Sequence, residues 1–125
     1  MGLINKILGN ASEVSIDKLQ VKYGRLLIDG EQIELGFQLF RDVFMFTNKR
    51  LILVDVQGFT GSKVEYKSLP YKHISRFSLE TAGTFDLDAE LKIWISSENL
   101  PNVSKKFNSS IDVYEVQKYL SEKVL

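Results

Sequence analysis

The chain has no cysteine, two prolines, one histidine and one tryptophan among 125 residues. Without cysteine there is no disulfide framework, no thiolate metal cluster and no thiol nucleophile, and a reducing cytoplasm is the expected compartment. His73 stands in an expected turn after Leu69-Pro70-Tyr71-Lys72, and with no second imidazole neither a histidine metal cluster nor a nucleophilic triad can be assembled. Sixteen basic and sixteen acidic side chains cancel. The chain therefore has no general field to hold nucleic acid or an anionic bilayer; only a local patch could. No apolar stretch approaches the length of a membrane span. Repeats, low-complexity tracts and linkers are missing too. A chain of this length can bury one core, which predicts a single domain over residues 1–125.

What is present is a change of hydrophobic period. Leu3, Ile4, Ile7, Leu8 and Ala11 fall at helical spacing. Asn5, Lys6 and Gly9 interrupt them, so this start reads as a short amphipathic helix rather than a signal peptide. Lys6 occupies the place where an acylation motif needs Ser or Thr after Gly2. Ser15 can cap a second helix carrying Ile16, Leu19, Tyr23, Leu26 and Leu27 on one face, stopped by Asp29-Gly30. Residues 1–29 thus read as N-terminal helices.

From Glu31 the period moves towards two, and β-branched and aromatic residues become common. Strands are expected at 32–40, 43–47, 50–57, 63–69, 75–80, 86–97 and 103–107. Asn48-Lys49 makes a hairpin turn, Gly58 and Gly61 open a loop, Pro70 stops a strand and Gly83 makes a turn. Residues 109–125 return to helical spacing, with Ser109 and Asp112 as a weak capping box and Val113, Val116, Leu120 and Val124 as the apolar stripe. The predicted class is mainly β: a seven-stranded antiparallel barrel over 31–107, closed by a helix over 109–125 that plugs its open end. Closing a twisted sheet on itself removes exposed edge.

Three segments carry a resemblance. They are Phe46-Thr47-Asn48-Lys49-Arg50-Leu51-Ile52-Leu53-Val54-Asp55-Val56-Gln57-Gly58, then Leu69-Pro70-Tyr71, and Glu80-Thr81-Ala82-Gly83-Thr84-Phe85-Asp86-Leu87-Asp88-Ala89-Glu90-Leu91. Together they resemble the bacterial pleckstrin-homology-like domain proteins, from about Glu31 to the C-terminus. The resemblance implies a seven-stranded barrel with a C-terminal capping helix and a tendency to assemble into rings of identical subunits. It implies no catalytic residues.

Candidate site residues follow from exposed apolar groups and from charge. Alternation along 86–95 places Asp86, Asp88 and Glu90 on one outward face, but residues two apart on a strand lie about 6 to 7 Å apart along a line and do not converge on a cation. No metal or cofactor is therefore expected. Trp94 falls on that outward face, and an exposed indole marks a contact with another surface. Ile111, Tyr114 and Leu125 lie off the main stripe of the terminal helix. With Ile4 and Leu8 they exceed what one plug needs, and this surplus suits subunit assembly. Lys49, Arg50, Lys63, Lys67, Lys72 and Arg76 lie near turns or strand ends. Of these, Lys49, Arg50 and Lys72 are the candidate anion-binding group at the barrel's open end. Arg41-Asp42 reads as a self-neutralising pair, which weakens a phosphoinositide reading. Gly58-Phe59-Thr60-Gly61-Ser62-Lys63 lacks the spacing of a phosphate loop. The sequons at Asn10, Asn102 and Asn108 matter only if the chain is secreted.

The sequence thus points to a cytoplasmic, non-enzymatic module that associates with itself and with a protein partner, without nucleic acid or membrane. The alternative is a binder of a small anionic ligand or lipid headgroup. If the terminal helix is the plug, Leu120→Ala should cost about 2 to 5 kcal/mol, read as a fall in the urea unfolding midpoint. An unmoved midpoint would count against the plug.

Overall fold

A computed structural model describes residues 12–13, 15–39, 41–81, 89–107 and 112–125. Its elements are β1 (Ser12–Glu13), α1 (Ile16–Tyr23), β2 (Ile33–Gln38), β3 (Val43–Thr47), β4 (Arg50–Gln57), β5 (Lys63–Pro70), β6 (Ile74–Glu80), β7 (Ala89–Ile95), β8 (Val103–Phe107) and α2 (Val113–Val124), with 3-10 turns at Gly24–Leu26 and Tyr71–His73. All ladders are antiparallel. The five-stranded sheet has the order β1-β2-β3-β4-β5, and the three-stranded sheet the order β6-β7-β8.

The meander from β2 to β8 supplies the seven expected strands, with a small extra strand, β1, on the β2 edge. Their ladder is not continuous, because β5 and β6 belong to different sheets. Pro70 brings no amide proton to the end of β5, and the 3-10 turn that follows redirects the chain. The expected closed barrel is therefore a barrel-like pair of sheets with a break at this corner. Aromatic rings hold the two sheets together: Phe107 of β8 lies edge-on to Phe37 at 5.3 Å and to Phe44 at 5.7 Å between centroids. Such pairs add about 0.5 to 1.5 kcal/mol each to their burial.

The residues of β3 are all buried, and so are Leu51 to Val54 of β4. Such unbroken runs belong to strands covered on both faces. Phe44, Phe46, Leu51 and Leu53 face the core between the sheets. Val43, Met45, Ile52 and Val54 form a second cluster beneath Leu19 and Tyr23 of α1. A register shift in β2 sends Ile33 to the second cluster and Leu35 to the first. Glu34 is the extra residue of this bulge, and bulges re-aim side chains in this way.

α1 is shorter than the helix expected to run to Asp29. It ends at Tyr23, and Leu27 is already extended with φ −86° and ψ 145°. Gly24 weakens helix continuation. The Leu26 carbonyl accepts from Arg50 Nη2 at 2.8 Å, a tertiary bond that the local pattern does not reveal. Ile16 lies outside the buried stripe, which is Leu19 and Tyr23, with Leu26 and Leu27 partly buried beside them. Ser15 is the N-cap, although its side chain makes no capping bond. α2 matches its expected stripe: Val116 and Leu120 are buried, and Val113 and Val124 are partly buried against the core. Asp112 caps it by accepting from the Tyr114 amide. The expected helix at the start of the chain, Ser109 of the capping box and the first part of the 86–97 strand lie outside the described residues.

The end of the sheet at the β3–β4 hairpin is organised by Glu31, whose side chain has no access to water. Its carboxylate accepts from Arg50 Nε at 2.9 Å and Nη2 at 3.0 Å, from Thr47 Oγ1 at 2.6 Å and from the Ile28 amide at 3.0 Å. Burial alone would raise its pKa. The hydrogen bonds from Arg50, Thr47 and Ile28 and the Arg50 charge outweigh burial, and the carboxyl is held at about 2 against an ordinary 4.5. Next to it, the Tyr71 hydroxyl donates to the Thr47 carbonyl at 2.6 Å, and that of Tyr119 in α2 to Glu34 Oε1 at 2.6 Å. Burial pushes both phenols well above their ordinary range; for Tyr119 the bond to Glu34 adds to the rise.

Two outcomes follow from this packing. A Cβ built at Gly36 would lie 2.1 Å from Leu19 Cδ1, so the glycine is what lets α1 rest on β2. Gly36→Ala should cost about 1 to 3 kcal/mol in urea denaturation, and Leu19→Ala in the same chain should recover part of that loss. Equal midpoints for Gly36→Ala and wild type would refute this contact. Because the folded pKa of Glu31 lies below its unfolded value, its stabilisation is complete above about pH 5 and is lost as pH falls towards about 2. Over that window the wild type should lose about 3 kcal/mol more than Glu31→Gln; parallel pH profiles for the two proteins would exclude it.

Candidate functional site

A pocket of about 400 Å³ opens at the end of the five-stranded sheet away from the β3–β4 hairpin. It is lined by Leu39, Arg41 and Asp42 from the β2–β3 turn, Asp55 and Val56 from the end of β4, and Lys105 and Lys106 from β8. Alternation from Val103 to Phe107 turns Lys105 towards the interior, and there its ammonium meets Asp42 Oδ2 at 2.8 Å. This ion pair ties β8 to the other sheet. The second oxygen of Asp42 accepts from the Val56 amide at 3.0 Å. Arg41 and Asp42 are thus not the self-neutralising pair expected from their adjacency. Arg41 instead sends Nη2 across to the Gly58 carbonyl at 2.6 Å. Gly58 has φ +82° and Gly61 φ +72°, and a Cβ at Gly61 would lie 3.2 Å from Arg41 Nη2. The two glycines make the turn and leave room for the guanidinium.

Lys49, Arg50 and Lys72, the anion-binding group chosen from the sequence, lie at the opposite ends of these strands. Lys49 is exposed in the β3–β4 turn, and Lys72 is exposed in the 3-10 turn beside α2. Arg50 is committed within the chain. Besides Glu31 and Leu26, its Nη1 donates to Ser68 Oγ at 2.7 Å. The end that carries Lys49, Arg50 and Lys72 is the one that Tyr119 of α2 covers, with its ring 5.2 Å from that of Phe46. Of the three, Arg50 is therefore occupied by partners within the chain.

Trp94 lies on the outward face of β7, half-buried. The Arg76 guanidinium sits 4.4 Å from its ring centroid, and its indole N–H donates to the Asn99 carbonyl at 3.1 Å. Glu90, on the same face, accepts from Ser104 and pairs in register with Lys106. Asp86 and Asp88 lie outside the described residues, among which no acidic or histidine cluster suited to a metal ion occurs. Tyr114 and Leu125 are exposed, Leu125 at 95%. Ile4, Leu8 and Ile111 lie outside the described residues. His73 is exposed in the Tyr71–His73 turn. No helix among the described residues is long and apolar enough to cross a membrane.

Two features escaped the sequence pattern. Lys105 reads as one more surface lysine until the β7–β8 register turns it inward. The β5 strand ends its sheet and shows Val64 and, at 50% exposure, Tyr66 on the face that continues the apolar cluster under α1. The alternation of Val64 and Tyr66 was visible, but not that α1 stops short of covering them.

The model of the bacterial PH domain family matches residues 2–124. The uncharacterised protein YjqA of Bacillus subtilis strain 168 is 55% identical over 121 residues, which cover 97% of each chain, and the uncharacterised YozO of the same organism is 38% identical over 101 residues, 81% of this chain and 85% of its own. Among solved structures, a pleckstrin-homology-domain protein of Shewanella loihica PV-4 superposes with a TM-score of 0.84 at 50% identity, covering 94% of this chain and 100% of that one. A pleckstrin homology domain of Shewanella amazonensis SB2B does so with 0.76 at 50% identity and 94% coverage of both. With the two-sheet architecture and the helix across its β3–β4 end, these matches show that the chain belongs to the bacterial PH domain family, whose matched relatives here are of unknown role.

Proposed function

We propose that the protein is a non-enzymatic interaction module that joins with copies of itself into a closed ring and presents the assembled surface to a protein partner in the cytoplasm. The observation that carries this reading is the free edge of β5. This eight-residue strand has no ladder on its outer side among the described residues and leaves Val64 and Tyr66 exposed on one face. Long unprotected edges with apolar side chains recruit other strands, and natural proteins usually blunt them. Across the Tyr71–His73 turn, β6 offers a second edge. Two different edges on one chain favour a head-to-tail contact, and head-to-tail contacts between identical chains close into rings when the rotation allows. Trp94, Tyr114 and Leu125 add apolar surface that intrachain packing leaves uncovered or half-covered. The lone imidazole and the cysteine-free composition support the non-enzymatic role and the reducing compartment.

Light scattering at micromolar concentration tests the reading against the 14.3 kDa of one chain. The expected mass is several times that value. Tyr66→Glu should lower it with the circular dichroism spectrum unchanged, and Trp94→Ala should shift the mass before it shifts the melting midpoint. A wild-type protein that runs as a single chain would overturn self-association.

A further inference from the structure

We propose that the pocket beside Arg41 binds a small organic monoanion, a carboxylate joined to a short apolar body. The site does not depend on self-association. Its volume of about 400 Å³ falls within the range of small-molecule sites. The lining carries three cations, Arg41, Lys105 and Lys106, against two carboxylates, Asp42 and Asp55. Both carboxylates are already engaged. Asp42 holds Lys105 and the Val56 amide. Asp55 faces Lys67 at 3.7 Å and accepts from Gln57 Nε2 at 3.1 Å. Neither is left to neutralise Arg41.

Arg41 is also held in position for the task. One Nη2–H reaches the Gly58 carbonyl, and Gly61 leaves space for the guanidinium. Its remaining N–H groups have no protein partner among the described residues. A planar guanidinium fork matches a carboxylate with two parallel hydrogen bonds. Leu39 and Val56 supply apolar wall, so an anion with a hydrocarbon portion gains burial as well as charge pairing. A polyanion would gain nothing from the same apolar wall, and its further charge would lose water there. The chemistry is therefore that of a monocarboxylate rather than a phosphorylated headgroup.

The test is a titration of ¹⁵N-labelled full-length protein with sodium hexanoate, with hexanol and inorganic phosphate as parallel probes. Hexanoate should give saturable shifts at the amides of Leu39, Arg41, Val56 and Lys106, and should bind at least about tenfold more tightly than either control. Arg41→Gln should weaken hexanoate about tenfold or more. Lys106→Gln, which removes an exposed charge without any backbone contact, should weaken it several-fold at an unchanged melting midpoint; it also decides the matter if Arg41→Gln does not fold. The proposal fails if no saturable shift appears by about 20 mM, if the shifts map elsewhere, if hexanol or phosphate binds as well as hexanoate, or if a folded Lys106→Gln binds like wild type.

Discussion

A carboxylate shut off from water holds this fold together at one end. Glu31 can stay ionised in its buried position only because Arg50 gives it two hydrogen bonds and Thr47 and the Ile28 amide one each. Burying a charge without such partners costs several kcal/mol. Each partner comes from a different piece of the chain, so the one ion fixes the segment after α1, the end of β3 and the start of β4 relative to each other. Arg50 extends the constraint to the Leu26 carbonyl and to Ser68 on β5. Thr47 extends it to α2, since its carbonyl accepts from Tyr71, whose ring lies 6.4 Å from that of Tyr119.

The other end of the same strands is built on opposite terms. The cross-sheet ion pair there, Lys105 with Asp42, is partly exposed, and the loop that follows β4 turns through two glycines of positive φ. A tightly satisfied polar network closes one end, and a loosely lined pocket is left at the other. That division follows from where α2 lies. Its apolar stripe covers the hairpin end of the core, and the Tyr119 hydroxyl donates there to Glu34. The other end holds the pocket between the β2–β3 turn, β4 and β8, and β5 has no ladder on its outer side among the described residues.

How much of this was legible in the chain differs by element. The strands read from alternation and turn residues lie within a residue or two of their place from β3 to β6 and at β8, because Asn48-Lys49, Gly58, Gly61 and Pro70 act locally on the backbone. The stripe on α2 was likewise a local property. The candidate site was much less legible. Lys49, Arg50 and Lys72 are near one another in sequence-derived topology, yet Arg50 was already claimed by Glu31, a residue whose burial no local pattern displays. Arg41 and Asp42 are adjacent in sequence and part company in space, one towards Gly58 and the other towards Lys105.

The sequence alone determined the meander, its hairpins, the terminal amphipathic helix and the absence of thiol chemistry, since each depends on residue type and spacing within a few positions. Tertiary structure decided the break between β5 and β6, the early end of α1, the bulge that aims Glu34 at Tyr119, and the inward turn of Lys105. These depend on which surfaces meet. Partners are separated by 85 residues for Tyr119 and Glu34 and by 63 for Lys105 and Asp42. Hydrophobic period records that a side chain is buried or exposed, but it carries no record of what the side chain is buried against.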